Sequence, residues 1–238
     1  MSLDLQFLTG IFFSILDFAS FTLLSLSIYR IPIQLYWKRL IAIQFFFIAV
    51  MLIHDYVLLN RDYYALMIAG TAIILSTFLL RIPLLYSSLI WGTGYLVNTF
   101  IQTLIILVIT GTGIFTIEQL QTNSLLRNST TFAIFLVNML VVYGIEKKRL
   151  GFMFIMNRFR IQKRSIQLKD IFIAILFICA VSLVQFGIIS FQSNDMNHYM
   201  IIVLAAVAAI SLIGLYITYK LNMKEIDERF SSLRGKNR

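Results

Sequence analysis

The sequence predicts an all-α, polytopic transmembrane helix bundle with seven spans, and three observations carry that expectation. Apolar residues fill 59% of the 238 positions and charged residues only 13%, whereas an ordinary soluble domain is about 25% charged. Apolar stretches near twenty residues long recur with few charges inside them, the length a helix needs to cross about 30 Å of hydrocarbon. The ten-residue alternating segments of a transmembrane barrel do not occur.

The expected spans, taken along the chain, cover about 8–28, 40–59, 63–80, 86–115, 130–145, 171–191 and 199–219, so that residues 1–219 form the membrane domain. The first 29 residues hold no Lys or Arg, so the basic start of a cleaved signal peptide is missing and the first span is expected to be retained. Only "NRDYY" separates the second span from the third, which implies a tight hairpin. The fourth run exceeds the membrane thickness and is expected to tilt or to end in an interfacial turn at "TGTGIF". "TIEQLQTNSLLRNS" reads as a loop before the fifth span, and "QSNDMNH" as the loop between the last two. The single cysteine, Cys179, lies in the sixth apolar run and excludes an intrachain disulfide.

Basic residues orient this layout. The segment "EKKRLGFMFIMNRFRIQKRSIQLK" and the tail after the seventh span hold most of them, and two spans separate these regions, so both can face the cytoplasm. Alternating backwards puts eighteen of the twenty basic residues inside and leaves only Arg61 and Arg127 outside. The positive-inside rule then gives an outside N-terminus and a cytoplasmic C-terminus. The net charge of +9 follows from topology rather than from nucleic-acid binding. Lys147, Lys148, Arg149, Arg158, Arg160, Lys163 and Arg164, interleaved with apolar side chains, are candidate contacts for anionic lipid of the inner leaflet.

The tail, residues 220–238, continues the last span as a short amphipathic helix. Met223, Ile226, Phe230 and Leu233 recur at three-four-three spacing and place one apolar stripe on it. That stripe suits a second copy of the chain or a signalling partner below the membrane; a solvated stub is the plainer alternative.

Within the spans the candidate chemistry is sparse. Asp17 lies inside the first span, where a carboxylate must face the bundle, pair or stay protonated. Gly94, Asn98 and Gln102 recur every fourth residue and share one face of the fourth helix, a pattern for close approach and interhelical hydrogen bonds. Asn138 and Gln185 are of the same kind, and together these residues could also line a polar cleft open to the outside. His54 and Asp55 fall near the outer end of the second span, and Asp195 and His198 in the last outer loop. Asp17, His54, Asp55, Asn98 and Gln102 are the candidate ligand contacts. No catalytic motif is present, so neither enzyme activity nor a cofactor or metal is expected.

The two prolines both stand in Arg-Ile-Pro, as "YRIPIQLYWKR" and "LLRIPLLYSSLIW". Each copy is expected at an inner corner, with Arg30 or Arg81 at the interface and Pro32 or Pro83 ending one helix or starting the next. Tyr36, Trp37, Tyr86 and Trp91 follow as expected interface anchors.

The stretches "YWKRLIAIQFFFIAVMLIHDY" and "LLRIPLLYSSLIWGTGYLVNTFIQ", with short loops, a basic segment before the last two spans and a helix leaving the membrane, make the chain resemble the membrane sensor half of AgrC-type quorum-sensing histidine kinases. The resemblance covers about residues 1–225. It implies a bacterial cytoplasmic-membrane protein that binds a secreted peptide outside and signals through its last helix. The tail has no histidine and no ATP-binding domain precedes Arg238, so the resemblance implies a sensor without its kinase, an accessory subunit or a segment of a longer chain. The expected function is therefore a non-enzymatic membrane sensor or regulator of a small peptide or lipid-like ligand. A transporter or permease-like subunit is the alternative.

Overall fold

The computed structural model describes residues 3–53 and 64–152, together with single helical positions at 209, 213, 216, 219, 220 and 223. The described part is all-helical. It contains five long helices and one short one: α1 Leu3–Ile28, α2 Ile33–Ile53, α3 Tyr64–Leu79, α4 Leu84–Gly111, α5 Ile117–Thr122 and α6 Ser124–Lys147. Phe7–Ile28, Ile33–Ile53, Leu84–Gly111 and Ser124–Lys147 are each long and apolar enough to cross a membrane. The apolar part of α3, Met67–Leu79, is shorter. Five of the expected spans overlap described helices, four of them long and apolar enough to cross a membrane, while the sixth and seventh, and the tail, lie outside the described residues apart from the single positions.

Side-chain pairs fix the direction of each helix. Gln44 of α2 donates to the Phe18 carbonyl and to Thr22 Oγ1 of α1, and Phe47 meets Phe18, so α2 runs back along α1. Tyr29 pairs with Thr93 and Ser20 lies level with Asn98, which makes α4 antiparallel to α1. Phe13 meets Phe132, Ser20 meets Asn138 and Ser27 meets Glu146, which makes α6 parallel to it. Ser76 pairs with Ser87 across the α3–α4 corner. Consequently Arg30, Lys38, Arg39, Arg81, Lys147, Lys148 and Arg149 gather at one end of the described bundle, with Arg127 at the other.

Helix α1 occupies the centre, packed against α2, α4 and α6. Leu24 and Leu26 of α1, Tyr29 in the turn after it, Ile43 and Phe47 of α2, and Ile90, Trp91 and Leu96 of α4 are fully enclosed. Outward-facing positions are equally apolar: Leu35, Phe45, Phe46, Phe78, Val108 and Leu140 are exposed. Such a surface suits hydrocarbon, where apolar contacts with lipid match those within protein and helix association depends on close packing and polar bonds. Gly94 supplies that closeness: a Cβ there would meet Ser25 Cα at 2.9 Å.

The Arg-Ile-Pro copies do form corners. At the first, Arg30 N–H donates to Ser27 and Ile31 N–H to Leu26, the paired bonds of a Schellman cap. Its left-handed residue is Arg30, with φ 50°. Arg81 at the second copy has φ 57°, and Arg149 after α6 has φ 51°. Arg149 closes a second Schellman pair, with its own N–H on Glu146 and that of Leu150 on Ile145. Pro32 and Pro83 each stand immediately before the following helix, where a missing N–H is harmless.

Three local expectations need correction. Trp91 is no interface anchor: it is wholly buried, its ring near Phe21 and Phe47 and its Nε1 donating to Ser76 Oγ at 2.9 Å. Helix α2 begins at Ile33 rather than near residue 40, because the corner lets the polar, aromatic stretch around Tyr36 and Lys38 coil from the proline onward. The stretch read as a loop before the fifth span is largely helical. Thr116 and Gln119 form a reciprocal capping box that starts α5, and the Asn123 side chain accepts from Leu125 and Leu126 to start α6.

Candidate functional site

Midway along the bundle, polar side chains of α1, α4 and α6 meet. Asn138 of α6, fully buried, donates through Nδ2 to Asn98 Oδ1 at 2.7 Å and to Ser20 Oγ at 3.1 Å. The Ser20 hydroxyl donates in turn to the Asp17 carbonyl at 2.9 Å. One turn along α4 from Asn98, the Gln102 side chain lies beside the Asp17 carboxyl. Asp17, Ser20, Asn98, Gln102 and Asn138 therefore close a polar ring across three helices.

Local sequence explains the convergence. Asp17 and Ser20 are three residues apart, and Asn98 and Gln102 four, so each pair lies on one face of its helix. The same α4 face carries Gly94, whose missing side chain lets α4 approach α1 near Ser25 and brings the amides within reach. Two ring oxygens, Asp17 Oδ1 and Asn138 Oδ1, are buried and have no hydrogen-bond partner among the described residues. Gln44 Oε1 shares this condition on the α2 side of α1.

A second polar seam joins α3 and α4. Ser76 receives the Trp91 indole N–H and pairs with Ser87, and the Ser87 hydroxyl donates to the Ile73 carbonyl. Every partner here is accounted for, so the seam serves packing. At the basic end, a pocket of about 340 Å³ lies between the α1–α2 corner and the end of α6, lined among others by Ser27, Arg30, Gln34, Glu146 and Arg149. There the Arg30 Nε donates to the Leu150 carbonyl and the Phe152 N–H to the Ile28 carbonyl. The chain leaving α6 is thereby tied to the end of α1.

Comparison with known proteins finds no matching protein family, no similar characterised protein and no similar solved structure. The site must speak for itself.

Of the candidate ligand contacts, Asp17, Asn98 and Gln102 come together, and Asn138, read from sequence as helix glue or as part of a polar cleft, joins them. His54 and Asp55 lie outside the described residues, as do Gln185, Asp195 and His198. Of the tail stripe, Met223 is a helical, exposed position; Ile226, Phe230 and Leu233 lie outside. Lys147 sits in the last turn of α6 with its ammonium 5.4 Å from the Tyr143 ring centre, and Lys148 and Arg149 follow at the exposed end. Arg158, Arg160, Lys163 and Arg164 lie outside the described residues. Sequence reasoning passes over Ser20 and Gln44. Their signal is positional: Ser20 shares the Asp17 face, and Gln44 is the single amide within "IAIQFFF". No group of three or more His, Cys, Asp or Glu that suits a metal ion occurs among the described residues.

Proposed function

We propose that this chain is a non-enzymatic bacterial membrane sensor or regulatory protein with seven spans, an outside N-terminus and a cytoplasmic C-terminus. A small extracellular peptide or lipid-like ligand acts on the outer part of the bundle, and the last helix passes the change to a partner. The supporting observation is that α6 is coupled to α1 at two levels, through Asn138 and Ser20 in mid-bundle and through Phe152, Ile28, Arg30 and Leu150 at the basic end. A shift of α1 against α4 at the ring is therefore carried to the place where the chain leaves α6 for the basic segment. Charge supports the orientation, since the cations described between residues 3 and 152 collect at one end with the exception of Arg127.

The test compares the transcriptome of a strain lacking the gene with that of a strain whose chain stops after Asn222. Both strains are expected to lose the same responses. A tail-less chain that preserves every response lost with the gene overturns the mechanism.

A second reading, a transporter or permease-like subunit, is supported by the open Asp17 carboxylate oxygen in mid-helix. Uptake of labelled solutes into proteoliposomes that is abolished by Asp17→Asn would favour it over sensing.

A further inference from the structure

The polar ring has a chemical imbalance. Both N–H bonds of the Asn138 amide are spent, one on Asn98 Oδ1 and one on Ser20 Oγ. In this arrangement the open atom of the amide is Asn138 Oδ1. The Ser20 proton is spent on the Asp17 carbonyl. Among the described residues, the buried side-chain atoms of the ring left without a partner are both acceptors, Asp17 Oδ1 and Asn138 Oδ1. A hydrogen-bond donor or a cation completes such a set.

We propose that the ring of Asp17, Ser20, Asn98, Gln102 and Asn138 binds one alkali-metal cation. Its side chains bring oxygen and amide groups with no sulfur or imidazole, which suits a hard cation. Asp17 is the single ionisable group of the five, so one positive charge leaves the site neutral in a medium where residual charge is costly. The open oxygens belong to α1 and α6, and their neighbours bridge to α4, so the bound ion clamps the three helices at the level where α4 crosses α1. The site stands whether the chain senses or transports, and its failure would leave the tail-deletion test untouched.

The experiment uses the full chain in detergent micelles at constant ionic strength, with choline chloride replaced stepwise by NaCl, LiCl or KCl. Thermal unfolding is followed by tryptophan fluorescence, and equilibrium binding by radioactive sodium. A saturable rise in Tm with at least one of the three ions is expected, with radioactive sodium bound near one per chain and displaced by the ion that stabilises most. Asp17→Asn is expected to remove both effects while unfolding cooperatively in choline, and Ser20→Ala to raise the half-saturating concentration several-fold. Equal Tm in all four salts without saturable sodium binding overturns the proposal. So does an ion effect that survives both substitutions unchanged.

Discussion

Gly94 of α4 lies so close to Ser25 of α1 that a methyl group on Gly94 would come within 2.9 Å of the Ser25 Cα. The Ser25 hydroxyl is folded back onto its own helix, donating to the Phe21 carbonyl at 2.8 Å. The obstacle to a larger residue is therefore partly backbone. Gly94→Ala is expected to force α1 and α4 apart and to cost about 1–3 kcal/mol, read as a fall in Tm of the purified chain. Ser25→Ala should fail to rescue it, because the clash with the Ser25 backbone persists. Full rescue by Ser25→Ala would show that the hydroxyl alone sets the distance.

The same α4 face shows what is legible in the sequence. Gly94, Asn98 and Gln102 repeat every fourth residue, a helical period that needs no structure to see, and Asp17 is conspicuous inside an apolar run. That they converge follows from antiparallel packing of α1 and α4, which the short corners make natural. Trp91 is easily misread because an aromatic shortly after a corner suits both a lipid interface and a core, and only the neighbouring Ser76 hydroxyl decides. The polar start of α6 escapes hydropathy, which registers apolar length and not the Asn123 cap. Left-handed arginines at three helix ends are illegible, since glycine is the usual occupant of that conformation.

Asn98 and Asn138 offer a measurement of the ring itself. Their mutual bond is 2.7 Å long and buried, and interhelical polar pairs in membranes are worth about 0.6 kcal/mol on average and up to about 1.7 kcal/mol. A double-mutant cycle with Asn98→Ala and Asn138→Ala is expected to give a coupling within that range, towards its upper end because both residues are enclosed. Strict additivity of the two losses would mean that the pair contributes no net coupling.

The left-handed arginines predict unequal outcomes at two similar positions. A non-glycine residue in this conformation is strained by about 1–2 kcal/mol, of which the added freedom of glycine in the unfolded chain takes back about 0.4–1 kcal/mol, so Arg149→Gly is expected to stabilise the chain by up to about 1 kcal/mol. Arg30 has the same backbone but its Nε also donates to the Leu150 carbonyl at 3.0 Å. Arg30→Gly should therefore gain less than Arg149→Gly, or destabilise outright. Chemical denaturation of both variants decides the order, and a larger gain at position 30 would refute the role given to the Leu150 hydrogen bond.

Orientation can be tested on α6, whose two ends are described. Ser129 and Lys148 are separated by about 28 Å at 1.5 Å per residue, enough to place them near opposite faces of a bilayer. With Cys179→Ser as background, single cysteines Ser129→Cys and Lys148→Cys are treated in intact cells with a membrane-impermeant maleimide. The cluster of cations at the Lys148 end predicts labelling of Ser129→Cys only, and of Lys148→Cys only after the membrane is opened. The reverse pattern would invert the topology, and the basic segment after α6 would then face outward, contrary to the positive-inside rule on which the proposed signalling direction depends.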